Sequence, residues 1–327
     1  MNNNKAIREA AWKRLIAENW IVRFIAVTLF LTLATQFVQN LLNSCYKLCE
    51  IKPLAAYAVE ILSDFAKTRS VPAGTLPSLR TLIPVFCFDT FMNFIIQGII
   101  VAGFAVLTLR ALRRNDEKWF SAALLGLRRP LEWAWLLFRY VLMFVFSGIC
   151  ILFPTIVLYQ IAARFCPTSL ARGAFLIALI IVAFLLTLVV WARIFYRYRY
   201  LFFVKVDNPL ASTRACLQKC RTLMAGHRKE SFYLDCSYWR SFLIFLVLAF
   251  VMIACAFTFR YFSHSDHQVL CLIPVAVFFA FTLLTTVVCF VVGLYVRLGQ
   301  AFLYEAIKTR ADEEASNTNV QQTLNKD

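Results

Sequence analysis

The chain is 327 residues long, 61% hydrophobic and 16% aromatic, with a mean hydropathy of +0.69. Ordinary soluble domains are about half apolar, so this composition excludes one and points to a chain that lies mostly in lipid. The net charge of +16 would suit nucleic acid, but the basic residues flank apolar runs. There an anionic bilayer surface attracts each Lys or Arg by about 1 kcal/mol, so the expected partner is lipid at the cytoplasmic face and not nucleic acid.

Residues 1–19 carry Lys5, Arg8, Lys13 and Arg14 and are expected to form a basic interfacial helix. The apolar run that follows is too long for the core of a cleaved leader, so the first span is expected to remain as an anchor. A spanning helix needs about 20 apolar residues, because only a helix satisfies its own backbone inside a hydrocarbon core about 30 Å thick. Within the membrane domain, 20–295, six windows qualify: Trp20–Leu42, Ile83–Leu107, Trp133–Ile161, Ala174–Trp191, Ser241–Phe259 and Val269–Leu294. The third is longer than one span needs, which predicts tilt, and Pro154 can kink it. Runs such as Ala174–Trp191 are apolar on every face, which excludes the alternating strands of a barrel. The predicted fold is therefore all-α: a polytopic membrane bundle of about six transmembrane helices, with amphipathic interfacial helices on the cytoplasmic face. Residues 296–327 read as a polar cytoplasmic tail, disordered towards its end.

If the spans alternate, 24 of the 34 basic residues fall on one side, including six in 108–130 and ten in the loop 192–240. The positive-inside rule then puts both termini in the cytoplasm of a bacterial inner membrane. All seven tryptophans sit at or near cytoplasmic span ends, as an interfacial belt requires; core filler would scatter them.

Three polar, basic, helix-prone stretches each precede a pair of spans: Lys5–Asn19, Asp116–Arg129 and Pro209–Ala225. In the third, Asn208 can cap, Pro209 suits the first helical position and Gly226 can end the helix. Leu210, Leu217, Cys220 and Met224 share one face, which predicts a helix lying in the headgroup plane, with Arg221, Arg228 and Lys229 near lipid phosphates.

The region from Tyr198 to Phe232 holds Tyr198, Asp207, Pro209, Met224, Gly226, His227 and Phe232 at the spacing of a Tyr, Asp-x-Pro, Met-x-Gly-His and Phe signature. The later stretch from Gln300 through Ala301 and Phe302 to Tyr304-Glu305 matches a closing Ala-x-Phe-Tyr-Glu. In these motifs the chain resembles a divergent member of the bacterial integral membrane family called domain of unknown function 975. Cys220 replaces that family's serine, Trp239-Arg240-Ser241 replaces Ile-Gly-Trp, and no Ile-Pro-Gly occurs around Trp191–Arg193. The resemblance implies a bundle of about six helices and no established activity.

Asp89, Asn93 and Gln97 fall at i, i+4 and i+8 of the second span, so one face carries three polar groups. Two readings stay open, a polar cavity or solute path and interhelical hydrogen bonding. Thr28, Thr32, Gln36 and Gln39 give the first span a comparable stripe that could meet it. Arg139 lies too far from Asp89 for a pair, because Asp89 sits roughly 31 Å of helix from the Arg110 end; it is expected to snorkel or contact a lipid phosphate, as is Arg23.

Cys45, Cys49 and Cys166 share the outer side, where a disulfide is an open question, but i, i+4 cysteines on one helix meet poorly. Cys216, Cys220, Cys236 and His227 lack the paired spacing of a zinc site, so no metal or cofactor is expected. His264, Asp266 and His267 read as solvated loop residues. No phosphate loop, nucleophile elbow or His-Glu-x-x-His occurs, so an enzyme is not expected. Two function classes remain: a non-catalytic envelope scaffold that contacts lipid and a membrane-protein partner or second copy, and a small-solute or lipid transporter using the second-span stripe.

Overall fold

The computed structural model describes residues 2–16, 19–48, 79–113, 119–165, 169–241, scattered positions from 243 to 254, and 268–324. The elements are α1 (Asn2–Ile16), α2 (Trp20–Leu48), α3 (Leu79–Arg113), α4 (Trp119–Ala123), α5 (Leu125–Arg128), α6 (Pro130–Phe165), α7 (Ser169–Arg197), α8 (Leu201–Asp207), α9 (Thr213–Leu223), α10 (Arg228–Ser237) and α11 (Gln268–Leu324). Among the described residues there is no strand, and five helices are long and apolar enough to cross a membrane. The chain is an all-α, multi-pass membrane bundle.

Five of the six expected spans correspond to α2, α3, α6, α7 and α11. The other, Ser241–Phe259, lies largely outside the described residues, as do Cys49, Cys166, His264, Asp266, His267 and the side chains of Gln39, Cys45 and Asp89. The expected tail, 296–327, instead continues the last span as one helix to Leu324. That continuation has a physical cause in its first three turns, where Leu298, Ala301, Leu303, Tyr304 and Ile307 are buried against the bundle.

α3 is the central helix, packed along α6, α8 and α11 and covered by α4 and α5. Close approach explains the α3–α6 contact. A Cβ on Gly98 would stand 2.8 Å from the Ala134 backbone nitrogen, so only glycine lets the two backbones meet there. The opposite extreme is the α6–α7 pair, in which 6% of each span is buried and Phe146, Phe153, Phe184 and Leu186 face outward.

The three helix-prone stretches are helical: α1, the broken pair α4–α5, and α9. Their apolar faces meet protein. In α1, Ala11 and Leu15 are fully buried and Trp12 packs edge-on against Tyr295, with ring centroids 5.5 Å apart. Two of its cations also turn inward, Arg8 donating to the Ser237 carbonyl and the Arg14 Nε to that of Ala111, each at 2.6 Å. Asn19 takes φ 55 between α1 and α2, a left-handed conformation that asparagine tolerates. The tryptophans divide. Trp20 and Trp133 are buried core residues, whereas Trp12, Trp135, Trp191 and Trp239 are exposed as a belt requires.

The third stretch departs from expectation in its first turn. Lys205, 2% exposed, donates from Nζ to the carbonyls of Pro209 (3.0 Å) and Ala211 (2.9 Å), and so holds 208–212 as a turn. Helix α9 therefore starts at Thr213, and Ser212 is the cap: its hydroxyl accepts the Ala215 N–H at 3.3 Å. Asn208 ends α8 instead, donating from Nδ2 to the Val204 carbonyl. Pro209 lies in the turn and Leu210, expected on the apolar face, is 82% exposed. Gly226 takes φ +92 in the turn that follows the helix, two residues past the C-cap Met224.

Candidate functional site

The buried face of α9 is Cys216, Cys220 and Met224, in one cluster with Tyr200, Leu201, Val204, Tyr238 and Tyr304. This cluster is the floor on which the polar residues of one end of the bundle stand. Burial raises the Cys216 thiol and pushes that of Cys220 up to about 12. Both act as small apolar filler.

Three polar groups tie the helix ends together. In the first, Asp207 accepts from Tyr304 Oη at 2.9 Å, Lys308 Nζ at 2.6 Å and Arg113 at 2.8 Å, while Arg113 Nε also reaches Glu305 at 2.7 Å. The ends of α3 and α8 and the middle of α11 are thereby fixed to one carboxylate. In the second, Lys205 completes its three bonds with Glu132 at 2.8 Å. In the third, Arg199 and Tyr196 donate to Asp235 at 2.9 and 3.1 Å, and Gln300 donates to the same carboxylate while accepting from Tyr200 at 2.9 Å. Burial raises the Asp235 acid, opposed by the Arg199 charge and by hydrogen bonds from Tyr196 and Gln300.

Beside the third group lies a cavity of about 490 Å³, within the range of ligand-sized pockets. Its walls come from two helix faces of the same period. On α3 these are Val101, Phe104, Ala105 and Thr108, and on α11 Gly293, Val296, Arg297 and Gln300. Both sets run i, i+3, i+4, i+7, which places each on one face. Phe195, Phe202 and Phe203 close the aromatic side. Thr108 is occupied by the Phe104 carbonyl at 2.6 Å, and Arg199 by Asp235. The Arg297 guanidinium lies over the Phe104 ring, 4.8 Å from its centroid, and no carboxylate among the described residues pairs with it.

None of the protein families, curated proteins or solved structures compared matches this chain.

The predicted site residues scatter. Asn93 and Gln97 are exposed on α3, on the face that carries Val101 and Thr108 but one to two turns before the residues that line the cavity, and Thr32 and Gln36 are exposed on α2, so these four do not pack together in the interior. Thr28 bonds its own helix, at 2.7 Å to the Phe24 carbonyl. Arg139 covers Trp135, with 5.0 Å to the ring centroid, and faces a polar cleft shared with Lys205, Ser212 and Arg214; Arg23 covers Trp20 in the same manner. Arg221, Arg228 and Lys229 are exposed around the Gly226 turn.

Of the motif positions, Asp207 and Glu305 meet through Arg113, Tyr304 donates directly to Asp207, and Met224 is fully buried. Tyr198 is partly buried beside the same core. His227 lies 3.3 Å from Glu230, and Phe232 is an exposed ring edge-on to Tyr196. Sequence reasoning missed Lys205, Arg113, Asp235 and Arg297. The available signal for Arg297 was a cation four residues beyond Gly293, on the same face of a span's end.

Proposed function

We infer that this chain is a non-catalytic component of a bacterial inner membrane, with both termini in the cytoplasm, which acts by contacting anionic lipid and packing against other membrane components. One observation carries the reading. Arg221, Arg228 and Lys229 stand exposed around a single turn, and no carboxylate among the described residues pairs with them. They share an end of the bundle with the Arg113–Asp207–Lys308 group, where α9 rests on α8. Unpaired cations at the end of a multi-pass bundle are the chemistry that anionic headgroups recognise, at about 1 kcal/mol each. Membership of the domain of unknown function 975 family, on the Asp207, Met224, Gly226 and Tyr304-Glu305 pattern, belongs to the same proposal.

A lipid or small-solute transporter is the second reading. The cavity between α3, α8 and α11 favours it, although Asn93 and Gln97 do not line that cavity.

The test is the thermal stability of the purified protein in neutral and in anionic nanodiscs. The parent should gain in anionic discs, and a variant with Arg221, Arg228 and Lys229 all changed to Gln should lose most of that gain, up to roughly 3 kcal/mol. A parent indifferent to lipid charge would defeat the reading.

A further inference from the structure

We propose that the cavity between α3, α8 and α11 binds one monoanionic lipid, with its phosphodiester on Arg297 and the start of its acyl chains on the aromatic wall. This rests on the lipid-contact reading above and adds a stoichiometric site to it.

The charge of the lining selects a monoanion. Arg199 is neutralised by Asp235 at 2.9 Å, and the amide of Gln300 is held by Asp235, Tyr200 and Ser231. That leaves Arg297. Its guanidinium carbon stands over the Phe104 ring and no carboxylate among the described residues pairs with it, so its N–H donors remain for an oxyanion, and a guanidinium edge matches two phosphate oxygens at once.

The rest of the lining selects an amphiphile. From Thr108 the α3 wall runs seven residues to Val101, about 10 Å of helix that offers only Ala105, Phe104 and Val101 to the cavity. Val292 and Val296 face it from α11. A free phosphate would meet Arg297 but leave this wall wet, and an uncharged lipid would leave the cation without a partner. The polar end lies level with Arg199 and Gln300, at the end of the bundle where the basic residues gather, so a bilayer lipid can present its head there without leaving headgroup depth. Beside Gly293 a Cβ would meet nothing within 4 Å. A side chain can therefore be added there to fill the cavity without touching backbone.

Native mass spectrometry of the full chain released from detergent tests the site, using phosphatidylglycerol and phosphatidylcholine of identical acyl chains, with inorganic phosphate as competitor. The parent should retain one phosphatidylglycerol, at least tenfold in preference to phosphatidylcholine. Arg297→Gln should reduce that preference to near unity, Arg297→Lys should keep most of it, and Gly293→Leu should lower retention of both lipids at least fivefold. Millimolar phosphate should not displace the lipid. The Arg221, Arg228 and Lys229 triple variant should keep its one lipid; this separates the cavity from the general contact surface, which that variant abolishes. Equal retention of the two lipids by the parent, or unchanged retention in both Arg297→Gln and Gly293→Leu, would overturn the proposal. Displacement by phosphate would instead identify a free-anion site and overturn it too. Each variant is first checked for a single elution peak and a parental melting midpoint; should Arg297→Gln not fold, Gly293→Leu and Arg297→Lys decide.

Discussion

Changing Lys205 to methionine removes three hydrogen bonds while keeping most of the side-chain volume. Two of those bonds go to the Pro209 and Ala211 carbonyls, at 3.0 and 2.9 Å, and one goes to Glu132 at 2.8 Å. A hydrogen bond from a charged donor contributes about 1.5–3 kcal/mol, so the two carbonyl bonds alone come to roughly 3–6 kcal/mol. The polar cleft formed with Arg139, Ser212 and Arg214 lets water reach the turn, which favours the lower end. The Glu132 partner is 41% exposed, so the ion pair itself adds about 1 kcal/mol or less. Lys205→Met should therefore cost about 3 kcal/mol, roughly a hundredfold in the folding equilibrium, and Glu132→Gln about 1 kcal/mol or less. Detergent-exchange unfolding followed by tryptophan fluorescence measures both. Equal losses for the two variants would mean that the pair, and not the clamp on the turn, stabilises this end; a Lys205→Met loss below about 0.5 kcal/mol would refute the argument altogether.

Reporter fusions after Arg113, after Arg197 and at the C-terminus should report the cytoplasm and fusions near Lys67 and His264 the outside; one reproducible reversal would break the assigned orientation. Maleimide at pH 8 should label the exposed Cys236 at least tenfold faster than the buried Cys220, whose thiol burial holds near 12, in variants with the other cysteines removed. Because burial raises the Asp235 acid, its contribution is most favourable below the unfolded value of about 3.9 and is lost as pH rises through the higher folded value. The stability difference between parent and Asp235→Asn should thus move in favour of the variant from pH 4 towards pH 7, and a shift in the opposite sense would be the refuting result. Gly98→Val should destabilise by about 2 kcal/mol or more, since its Cβ meets Ala134 backbone at 2.8 Å, while Asn93→Leu on the exposed face of the same helix should stay within about 0.5 kcal/mol in a melting assay.

Periodicity and length were enough to read the five spans that fall among the described residues, because a 20-residue apolar run has few ways to satisfy its backbone in lipid. Gly226 was equally readable, since a glycine after an amphipathic turn marks a helix end whatever surrounds it. The helix start was not. Asn208 and Pro209 are good local signals, yet Lys205 draws the following carbonyls into a turn and moves the cap to Ser212. Asn93 and Gln97 show the complementary limit: a stripe identifies a face but not what that face meets. The Asp207–Arg113–Glu305 group joins residues 94 and 192 positions apart, and no local pattern reports such a meeting.

The polar ties and the buried clusters occupy the same end of the bundle, and this decides how the fold holds together. In lipid, apolar helices gain little from packing against one another, because the surrounding chains are as apolar as they are. Helices α6 and α7 show the consequence, with 6% of each span buried. Their order relative to α3 then depends on close backbone approach at Gly98 and on the Glu132–Lys205 and Arg199–Asp235 contacts at the ends, where water is near and charges can be satisfied. An arrangement fastened at one end leaves the space between α3 and α11 free of filling side chains beside Gly293. A cavity with one unpaired cation at its rim is compatible with stability there because the fastening lies next to it, in Asp235, Gln300 and Tyr200.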